Sequence, residues 1–595
     1  MKTVKLKKNH LIANNTSFLT QYLLSLGIEE KHLNSYIGQP DPSDLDYWQY
    51  LNNIEIAIRV AHRKLSAGAK YFIQVDSDTD GYTSSAILLS YLRMRFPQNQ
   101  YEWRLHNGKE HGIIVDTVPE DCELVFIPDA GSNQFEEQMQ LTQMGKTVII
   151  LDHHEVEQFQ DTNAIIVNNQ LSPNFKNKDL SGAGVVYMFI TGMDELFYPN
   201  DKDVHKQFMD LAAIGVIADM MNMKTLGNNY LAKVGLTNIY NKFILELAKK
   251  QSRGIKDPNA LTKIDVAFYI APVINGCIRG GAPEDKEMVF RALSCYDVEV
   301  PHYQTIWRGV TRDEDLYTYA VRLAVNAKSR QDSARKKAFE WICNRIKEKS
   351  WDQHNIIIAP LTGEDSTKVT PNMTGLVAME LVKEFNKPCL VLRETDYDNM
   401  HVFGGSGRNG KFYGLPNLKD FIHEIGVYYA EGHQNAFGAF LLPNEIEKVR
   451  QYADSHINPQ IFQDSVYEVD YIFHSREHID STMLKEFAHQ NTLWDTSSIP
   501  APLFAFEVNY QECELLFMGT KKNSIKLKHD GVDFVAFTND EWTKLFHDNP
   551  NGHATIIGRP QLNEYNGFVT IQILIDDLYL TNIPTEQSFR TMNLI

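Results

Sequence analysis

The sequence predicts an α/β protein with a parallel β-sheet in its N-terminal half and a strand-rich C-terminal region. Between about residues 50 and 285, short apolar runs typical of buried strands alternate with helical periodicities, as in a parallel sheet covered by helices. Beyond about residue 490, six short β-prone runs follow one another. The composition is that of a folded protein, because 43% of the 595 residues are hydrophobic and 23% are charged.

Cysteine spacing, hydropathy and charge exclude several classes of protein. Six cysteines lie far apart without a Cys-x-x-Cys pair, which argues against a thiolate zinc site and a disulfide framework. No run of about 18 apolar residues occurs, and the N-terminus lacks the apolar stretch of a secretory signal. We therefore expect a cytoplasmic protein without a membrane partner.

The formal net charge of −18 weighs against a generic polyanion binder, because non-specific DNA affinity comes largely from Lys and Arg. The charge is unevenly distributed, however. Between Arg322 and Lys349, nine basic residues stand against three acidic ones, and four lysines lie between Lys521 and Lys528. These two patches leave nucleic acid open as a partner.

One predicted strand leads directly into an acid and two imidazoles. Residues Thr147 to Leu151 are apolar or β-branched, and Asp152, His153 and His154 follow at once. In parallel sheets, ligands collect at the carboxyl ends of the strands. A single histidine there is more often structural, so a metal site requires matching ligands from other segments.

Other predicted strands supply such ligands. Tyr71–Val75 runs into residues 76–81, Asp-Ser-Asp-Thr-Asp-Gly, and Ile87 at the twelfth position of this loop excludes an EF-hand, which needs Glu there. Glu123–Pro128 ends in Asp129, and Asp219 follows another apolar segment. The resulting oxygen and nitrogen ligands suit two divalent cations, Mn²⁺ or Mg²⁺: Asp78, Asp80, Asp129, His153 and Asp219.

Two cations that share a carboxylate, about 3.5–4 Å apart, are a common arrangement for in-line attack of water on a phosphodiester. We expect Asp129 to be the shared ligand. The sequence therefore predicts a metal-dependent phosphodiesterase.

These motifs, in this order, resemble the DHH phosphoesterase superfamily, and their details are similar to the RecJ-type single-strand exonucleases. The resemblance extends over about residues 50–580 and implies that the five residues above bind metal. It also implies that His154 faces the scissile phosphate, and that Asp76 and Asp152 orient the ligands. Asn275 and Arg279 lie in a further similar segment and are implied to contact the nucleic acid.

The resemblance implies a DHH catalytic domain, a long connecting helix, a smaller α/β DHH-associated domain and a C-terminal oligonucleotide-binding (OB)-like β-barrel. The expected ranges are an N-terminal extension at 1–48, the catalytic domain at 49–300, the connecting helical segment at 301–350, the DHH-associated domain at 351–450, and a linker with the OB-like domain at 451–595. The segments 405–409 and 432–438 resemble two phosphate-binding signatures.

Further DNA contacts follow from the same resemblance. The two signatures imply phosphate contacts by five residues, namely Ser406, Gly407, Arg408, Gly432 and His433. Arg330 of the connecting helix, and Lys526 and Lys528 of the barrel, are implied to hold the strand. Phe534 and Phe537 either stack on bases or fill the barrel core.

Three positions depart from the family pattern, one of which is Ile278, where the family has Gly before Arg279. Gln74 stands where many relatives have a metal-binding histidine. His106 takes the place of an arginine near the family's 5′-phosphate pocket, and Lys109 is a candidate to replace that arginine.

The implied function is metal-dependent 5′→3′ hydrolysis of single-stranded DNA to 5′-mononucleotides, in recombination or repair. We expect a monomer, with a single-strand-binding protein or other repair proteins as further partners. Two alternatives stay open. One is a DHH hydrolase of short oligonucleotides or cyclic dinucleotides, against which the terminal barrel argues; the other is a catalytically silent single-strand-binding scaffold, against which the five ligands argue.

Overall fold

The chain forms two compact units. The structure is a computed structural model that describes residues 2–12, 16–106, 110–156, 160–296, 299–307, 309–397, 400–410, 412, 414–462, 465–475, 477–565 and 568–581. The smaller unit comprises Met1–Lys5 and Asn326–Tyr467, and the larger unit comprises Leu6–Val325 and Glu468–Ile595. The five domain ranges expected from the sequence stay predictions.

The N-terminal residues, which the sequence left without a role, contain β1 (Lys2–Leu6), α1 (Phe18–Ser25) and α2 (Leu33–Ile37). Helix α1 begins after Ser17, whose hydroxyl accepts a hydrogen bond from the Thr20 amide at 3.3 Å. Tyr22 is buried and donates to the Pro500 carbonyl at 2.8 Å. This segment therefore belongs to the packing of the larger unit.

A five-stranded sheet organises the larger unit. Its order is β3-β2-β4-β5-β6, and every pairing is parallel, which confirms the predicted α/β core. The elements from α3 to α12 are α3 (Ile54–Ser66), β2 (Tyr71–Val75), α4 (Thr79–Arg95), β3 (Tyr101–Leu105), β4 (Leu124–Pro128), α5 (Phe135–Gln143), β5 (Thr147–Asp152), β6 (Ile165–Asn168), α6 (Gly182–Phe197), α7 (Met209–Ala218), α8 (Leu226–Gly235), α9 (Lys242–Lys250), α10 (Lys263–Asp265), α11 (Ala271–Gly280) and α12 (Pro283–Leu293).

The strand order places a crevice between β2 and β4. The chain passes from β2 outward to β3 and then returns to β4 on the other side of β2, so the connections leave the sheet edge in opposite directions. Such a switch point opens a crevice beyond the carboxyl ends of the two strands, where α/β proteins build their sites. Helix α4, which starts from this crevice, is buried from Thr79 to Leu92.

A buried ionic network joins α4 to α6. The Asp194 carboxylate, which is fully buried, accepts hydrogen bonds from the Tyr91 hydroxyl and the Arg95 guanidinium, both at 2.5 Å. It also accepts from the His205 amide at 2.9 Å. The carboxylate thus satisfies donors on two segments, α4 and residues 204–208, around the core of the larger unit.

We expect Asp194→Asn to lower the free energy of unfolding by about 3 kcal/mol, because the buried Arg95 guanidinium loses its buried anion and keeps an ion pair with the exposed Asp201, at 2.8 Å. Urea unfolding measures the effect. Glu55→Gln is the control, since the exposed Glu55–Arg59 pair at 2.8 Å should contribute about 0–1 kcal/mol. Equal unfolding midpoints for the two variants would contradict the prediction.

The chain then passes through a hairpin and a long helix: β7 (His302–Trp307), β8 (Val310–Asp315) and α13 (Leu316–Glu348). The helix lies within the predicted connecting segment. Among the described helices, none is long and apolar enough to cross a membrane.

A second sheet forms the centre of the smaller unit, with the order β12-β13-β11-β10-β9. Only the β9–β10 pairing is parallel. The elements are β9 (Ile357–Leu361), α14 (Thr374–Phe385), β10 (Cys389–Tyr397), β11 (Met400–Arg408), α15 (Leu418–His423), β12 (Tyr429–His433), β13 (Ala436–Leu441) and α16 (Pro443–His456). This arrangement confirms a smaller α/β body after the long helix.

The C-terminal region is rich in strands, as predicted. Its elements are β14 (Ser465–Val469), β15 (Tyr471–Phe473), α17 (Ser481–Ala488), β16 (Phe504–Asn509), β17 (Glu514–Met518), β18 (Ser524–His529), β19 (Val532–Ala536), α18 (Asp540–Asp548), β20 (His553–Tyr565) and β21 (Phe568–Thr581). Strand β14 pairs with β1, and the other strands form one sheet in the order β15-β16-β20-β21-β19-β18-β17. Within the described residues, no pairing joins β15 to β17, so a closed OB-like barrel stays a prediction.

The two aromatic candidates of this region differ in exposure. Phe534 is fully buried and contacts Phe506 edge to face at 4.9 Å between ring centroids, so it belongs to the core and cannot stack on bases. Phe537 is 60% exposed, which leaves it available for stacking. Burial decides between the two alternatives for Phe534, whereas the sequence pattern alone could not.

Candidate metal centre

The crevice at the sheet edge gathers the acidic motifs of four segments. Asp76 and Asp78 follow β2 directly, Asp129 follows β4, and Asp152 ends β5. Asp219 comes from a different type of element, since it lies at the C-terminus of helix α7. The predicted ligands therefore meet because parallel strands end at the same edge of the sheet.

The five predicted ligands and their neighbours form overlapping groups of potential ligand atoms. Within each group, one ligand atom per residue lies within 4.8 Å of the others. One group contains Asp76, Asp78 and Asp129, and a second contains Asp80, His153 and Asp219. A third group joins Asp129 to His153, together with Asp152 and His154. Asp129 thus connects the two sides of the cluster, as expected of a shared ligand.

Asp129 is held in a strained and desolvated position. Its backbone has φ +63°, a left-handed conformation that residues other than Gly, Asn and Asp rarely adopt. The residue is buried, and its Oδ1 atom has no hydrogen-bond partner within the described part of the chain. Burial and the carboxylates of Asp80 and Asp78 raise its pKa well above the usual 3.8. A divalent cation would compensate this concentrated negative charge.

The two carboxylates of the α4 turn are fixed by backbone amides. Asp78 caps α4 and accepts from the Gly81 amide at 3.0 Å. Asp80 lies at the N-terminus of α6, where it accepts from the Gly182 amide at 2.7 Å and the Ala183 amide at 3.1 Å. These bonds leave further carboxylate lone pairs for a cation and place the anion at the positive end of a helix.

Glycines let the backbone approach these carboxylates closely. A Cβ atom at Gly182 would clash with Oδ1 of Asp129 and would lie 2.6 Å from its Cβ. A Cβ atom at Gly215 would clash with Oδ1 of Asp80 and lie 2.9 Å from the Thr83 hydroxyl. The space around these carboxylates therefore admits no side chain at either position. The sequence alone did not indicate this requirement for Gly182 and Gly215.

His153 and Asp219 complete the second side of the cluster. The His153 Nε2 atom lies 3.2 Å from Asp129 and 3.6 Å from Asp219. Burial lowers the pKa of His153, which favours the neutral imidazole that binds metals. Burial and the neighbouring Asp80 carboxylate raise the pKa of Asp219 to about 8. The surroundings of Asp219 thus make a negative charge on its carboxylate unfavourable unless a cation is bound.

His154 faces outward from the same strand end and is fixed by Asp152. Its Nδ1 atom lies 2.8 Å from the buried Asp152 carboxylate, which raises the pKa of His154 to about 9. Burial alone would raise the pKa of Asp152, but the bond from His154 lowers it below its usual value. Asp152 also accepts from the Ser132 amide at 3.0 Å. The pair therefore presents an oriented, protonated imidazole with Nε2 free within the described residues.

Asp76 contacts a histidine that sequence reasoning missed. It accepts from the Gly112 amide at 3.1 Å and lies 2.9 Å from Nδ1 of His111, whose pKa rises through this bond. The buried His106 lies 3.5 Å from Asp76, and both of its ring nitrogens lack a hydrogen-bond partner among the residues described. The signal for His111 was its position in the polar loop that follows a strand of the sheet.

Gln74 and Asn275, two further residues considered in the sequence analysis, both form hydrogen bonds within the larger unit. The Gln74 amide donates to the Arg104 carbonyl at 3.1 Å and accepts from the Thr117 hydroxyl at 3.3 Å, so its polar atoms are already engaged. Asn275 accepts from the Thr79 amide at 3.1 Å, which ties α11, and with it Arg279, to the turn that carries Asp78 and Asp80. Lys109 lies outside the described residues.

The smaller unit brings its two predicted phosphate signatures together. Arg408 of β11 and His433 of β12 both pair with Ala436 of the strand between them. The Ser406 hydroxyl lies 2.9 Å from the Thr374 hydroxyl in the first turn of α14. Gly407 and Gly432 pair with one residue of the same strand, Phe437. The side chain of His433 lies outside the described part of the structure.

Arg408 occupies an unusual place for a cation. Burial lowers its pKa, and its guanidinium donates to the carbonyl of Gly407 at 2.7 Å. A Cβ atom at Gly375 would lie 2.5 Å from the guanidinium, so α14 meets this arginine closely. Within the described residues, no carboxylate pairs with Arg408. A half-buried cation beside a helix N-terminus is suited to an anion.

Two of the basic residues predicted to hold the strand already form ion pairs with carboxylates of the same sheet. Lys526 pairs with Asp533 at 2.5 Å, and Lys528 pairs with Glu514 at 3.0 Å. Arg330 lies on the described face of α13 that also carries Ser333. Their DNA contacts stay predictions.

Comparison with known proteins agrees with this geometry. A model described as the N-terminal domain of the DHH family matches residues 70–216. The single-stranded-DNA-specific exonuclease RecJ of Bacillus subtilis (strain 168) is 24% identical, covering 91% of this chain and 65% of RecJ. YorK of the same strain, a prophage-derived protein predicted to be a single-strand DNA-specific exonuclease, is 34% identical over 576 residues, covering 94% of this chain and 95% of YorK.

The chain belongs to the RecJ-type exonuclease family of the DHH superfamily. A crystal structure of RecJ from Thermus thermophilus in complex with Mn²⁺ superposes with a TM-score of 0.68 at 19% identity, covering 98% of this chain and 80% of that one. The same fold is thus found in a RecJ protein across almost the whole chain, including the strand-rich C-terminal region.

Proposed function

We propose that this chain is a metal-dependent exonuclease that hydrolyses single-stranded DNA from the 5′ end and releases 5′-mononucleotides. The observation that carries the proposal is the position of Asp129, which links the two groups of ligand atoms. A carboxylate shared in this way can hold two cations about 3.5–4 Å apart, the separation found in two-cation phosphodiester hydrolysis. Membership of the RecJ-type family supports single-stranded DNA as the substrate.

The donor set fits two cations such as Mn²⁺ or Mg²⁺. Carboxylate oxygens dominate, with one imidazole and no thiolate, which is the chemistry these hard ions prefer. The Oδ1 atom of Asp129 accepts no hydrogen bond from the described residues and lies 3.2 Å from Nε2 of His153, so it provides a ligand position beside that of the imidazole. Asp78 and Asp129 would hold one ion, and Asp80, His153 and Asp219 the other. RecJ of Thermus thermophilus, which shares the fold, has been crystallised with Mn²⁺ and with Mg²⁺.

The chain's own residues would then position the phosphodiester. Bound cations supply Lewis acidity and make water a better nucleophile. Asp152 fixes the orientation of His154 and favours its protonated form, in which the free Nε2–H would donate a hydrogen bond to an oxygen of the scissile phosphate. The amides of α6 hold Asp80 in place, so the ligand geometry is set before substrate binds.

The smaller unit would bind the terminal phosphate of the strand. Ser406 and Arg408 lie beside the first turn of α14, and Arg408 lacks a carboxylate partner among the described residues. A phosphate would supply the missing countercharge and accept hydrogen bonds in bidentate geometry. Asn275, Arg279, Arg330, Lys526 and Lys528 remain proposed contacts of the strand.

We expect Arg408→Met to raise the KM for 5′-phosphorylated DNA about tenfold or more, because a hydrogen bond to a charged group contributes about 1.5–3 kcal/mol. The free energy of unfolding should not fall, since an unpaired buried cation is removed. Steady-state kinetics and urea unfolding measure the two effects. Lys383→Met, which changes an exposed cation on α14, the helix that approaches Arg408, is the control. An unchanged KM for R408M would contradict the proposed role.

A length series tests the function against its nearest alternative. The protein is incubated with Mn²⁺ and with single strands that range from dinucleotides to about 40 nucleotides, which exceeds the roughly 4–16 nucleotides that one OB fold covers. Efficient cleavage of the long strands supports the exonuclease. Cleavage of only the shortest would favour the hydrolase of short oligonucleotides, and binding without cleavage would favour the silent scaffold.

We further propose a monomer that acts in the cytoplasm, with a single-strand-binding protein or other repair proteins as partners. Sedimentation of the full chain with and without a single strand tests the first point. A mass that doubles in either condition would contradict it.

A further inference from the structure

His111 and His154 form two similar carboxylate–imidazole pairs beside the metal centre. The Nδ1 atom of His111 lies 2.9 Å from Asp76, and that of His154 lies 2.8 Å from Asp152. In each pair the carboxylate is buried, whereas the histidine side chain is about half exposed, at 56% for His111 and 46% for His154. The two rings therefore have buried anchors and outward faces.

The rings also lie close to each other. Their centroids are 5.9 Å apart, and the ring planes meet at 74°. Because each Nδ1 atom is bound to its carboxylate, each Nε2 atom points away from that anchor. Among the described residues, neither Nε2 atom has a hydrogen-bond partner. Two Nε2 atoms, each a hydrogen-bond donor when its imidazole is protonated, thus open onto the same space next to Asp76 and Asp129.

A phosphate group fits this space. Charge-assisted hydrogen bonds from nitrogen to oxygen are about 2.7–2.9 Å long, so two imidazoles that bind different oxygens of one phosphate must stand several ångströms apart. The centroids of these two rings are 5.9 Å apart. The carboxylate anchors prevent either ring from turning away, which preorganises both donors. A single imidazole would leave the other side of the phosphate to water.

We propose that His111 is a second catalytic imidazole, whose Nε2 atom binds an oxygen of the scissile phosphate opposite the oxygen bound by His154. This inference rests on the proposed function, because it names a further contact of the same phosphodiester. His111 belongs to the loop after β3, so its role depends on the fold and not on the motif that contains His154. It also gives the buried Asp76 a function, namely to orient His111.

Two substitutions separate contact with phosphate from support of Asp76. The amide nitrogen of Asn lies near the position of Nδ1, so His111→Asn can retain the bond to Asp76 but loses the outer donor. The amide nitrogen of Gln lies near the position of Nε2, so His111→Gln can retain the outer donor. His302→Asn is the matched control, because His302 also binds an aspartate through Nδ1, at 2.8 Å from Asp313, and is 57% exposed.

The experiment measures single-turnover cleavage of single-stranded DNA with Mn²⁺, and Mn²⁺ binding to the same full-length variants by calorimetry. We expect H111N to cleave about 10²-fold more slowly, as when one donor to a developing charge is removed. Its Mn²⁺ affinity and stoichiometry should stay within about threefold of wild type. H111Q should cleave faster than H111N, and H302N should match the wild type.

Two results would overturn the inference. Cleavage by H111N at the wild-type rate would remove any role in catalysis. A loss of Mn²⁺ affinity that parallels the loss of rate would show that His111 acts only through Asp76. A wild-type chain that cleaves no single-stranded DNA would defeat the proposed function itself, whereas wild-type cleavage with an equally active H111N would defeat this inference alone.

Discussion

Asp129→Asn is expected to abolish Mn²⁺-dependent cleavage while leaving the metal-free fold at least as stable as the wild type. The rate should fall about 10³-fold or more, since a ligand shared by two cations supports several kcal/mol of transition-state stabilisation. Asn keeps the size of the side chain and tolerates the left-handed backbone at this position, φ +63°. Any loss of activity can therefore be assigned to charge and ligation.

Although D129N should lower the cleavage rate, it should maintain or raise the stability of the metal-free protein. Folding raises the pKa of Asp129, mainly through burial, so the folded state binds more protons than the unfolded state between the usual value of 3.8 and the raised one. Stability of the wild type therefore falls as the pH rises through this window, whereas D129N lacks this loss. Thermal unfolding in EDTA across this pH range measures the difference.

Added Mn²⁺ should make the wild type more stable than D129N. At about 100 times its Kd, an ion that binds only the folded state stabilises it by about 2.7 kcal/mol, and D129N should lose most of this gain. Asp257→Asn, in an exposed loop, is the control and should behave as the wild type. Retained cleavage, or an unchanged stabilisation by Mn²⁺, would show that Asp129 is not the shared ligand.

The second large effect is expected for Gly182→Ala. Helix propensity favours Ala over Gly by about 1 kcal/mol, so the sequence alone predicts a more stable helix α6. The added Cβ would instead clash with the buried Asp129 carboxylate, whose own backbone has little freedom to move. We expect cleavage to fall about 10²-fold or more, because a displacement of about 1 Å in such a centre can cost this much.

Gly227→Ala is the matched control for this substitution. Gly227 also lies in a helix, α8, but its nearest neighbour would be the Asn177 amide nitrogen at 3.1 Å, far from the carboxylates. Cleavage and Mn²⁺ binding should then stay near the wild-type level. If G182A were as active as G227A, the close approach of α6 would not be needed for the metal centre.

The metal centre could be predicted from the sequence because strand ends carry its ligands. In a parallel sheet, residues that directly follow buried strands must meet at one edge. The sequence alone therefore predicts that Asp78, Asp129 and His153 lie close together. Asp219 was predicted from its place after an apolar segment, but it ends a helix, so the argument from strand ends does not locate it. Its contact with His153, at 3.6 Å, depends on how α7 packs.

Other features depended on tertiary packing and could not be predicted. The clash that a Cβ at Gly215 would make with Asp80 arises from two helices that are distant in sequence. Phe534 has the same chemistry as Phe537, and only the course of β19 decides which of them is buried. His111 stood in a polar loop without a motif, and its pairing with Asp76 becomes visible only when β2 and β3 lie side by side.

The central claim is that the chain degrades single-stranded DNA from its 5′ end in a metal-dependent reaction. The most direct test follows the products over time from 5′-labelled and 3′-labelled single strands, with Mn²⁺, with Mg²⁺ and with EDTA. We predict immediate release of labelled mononucleotide from the 5′ label, slow shortening of the 3′-labelled strand, and no reaction in EDTA. Mononucleotide released first from the 3′ label, or cleavage that persists in EDTA, would contradict the account.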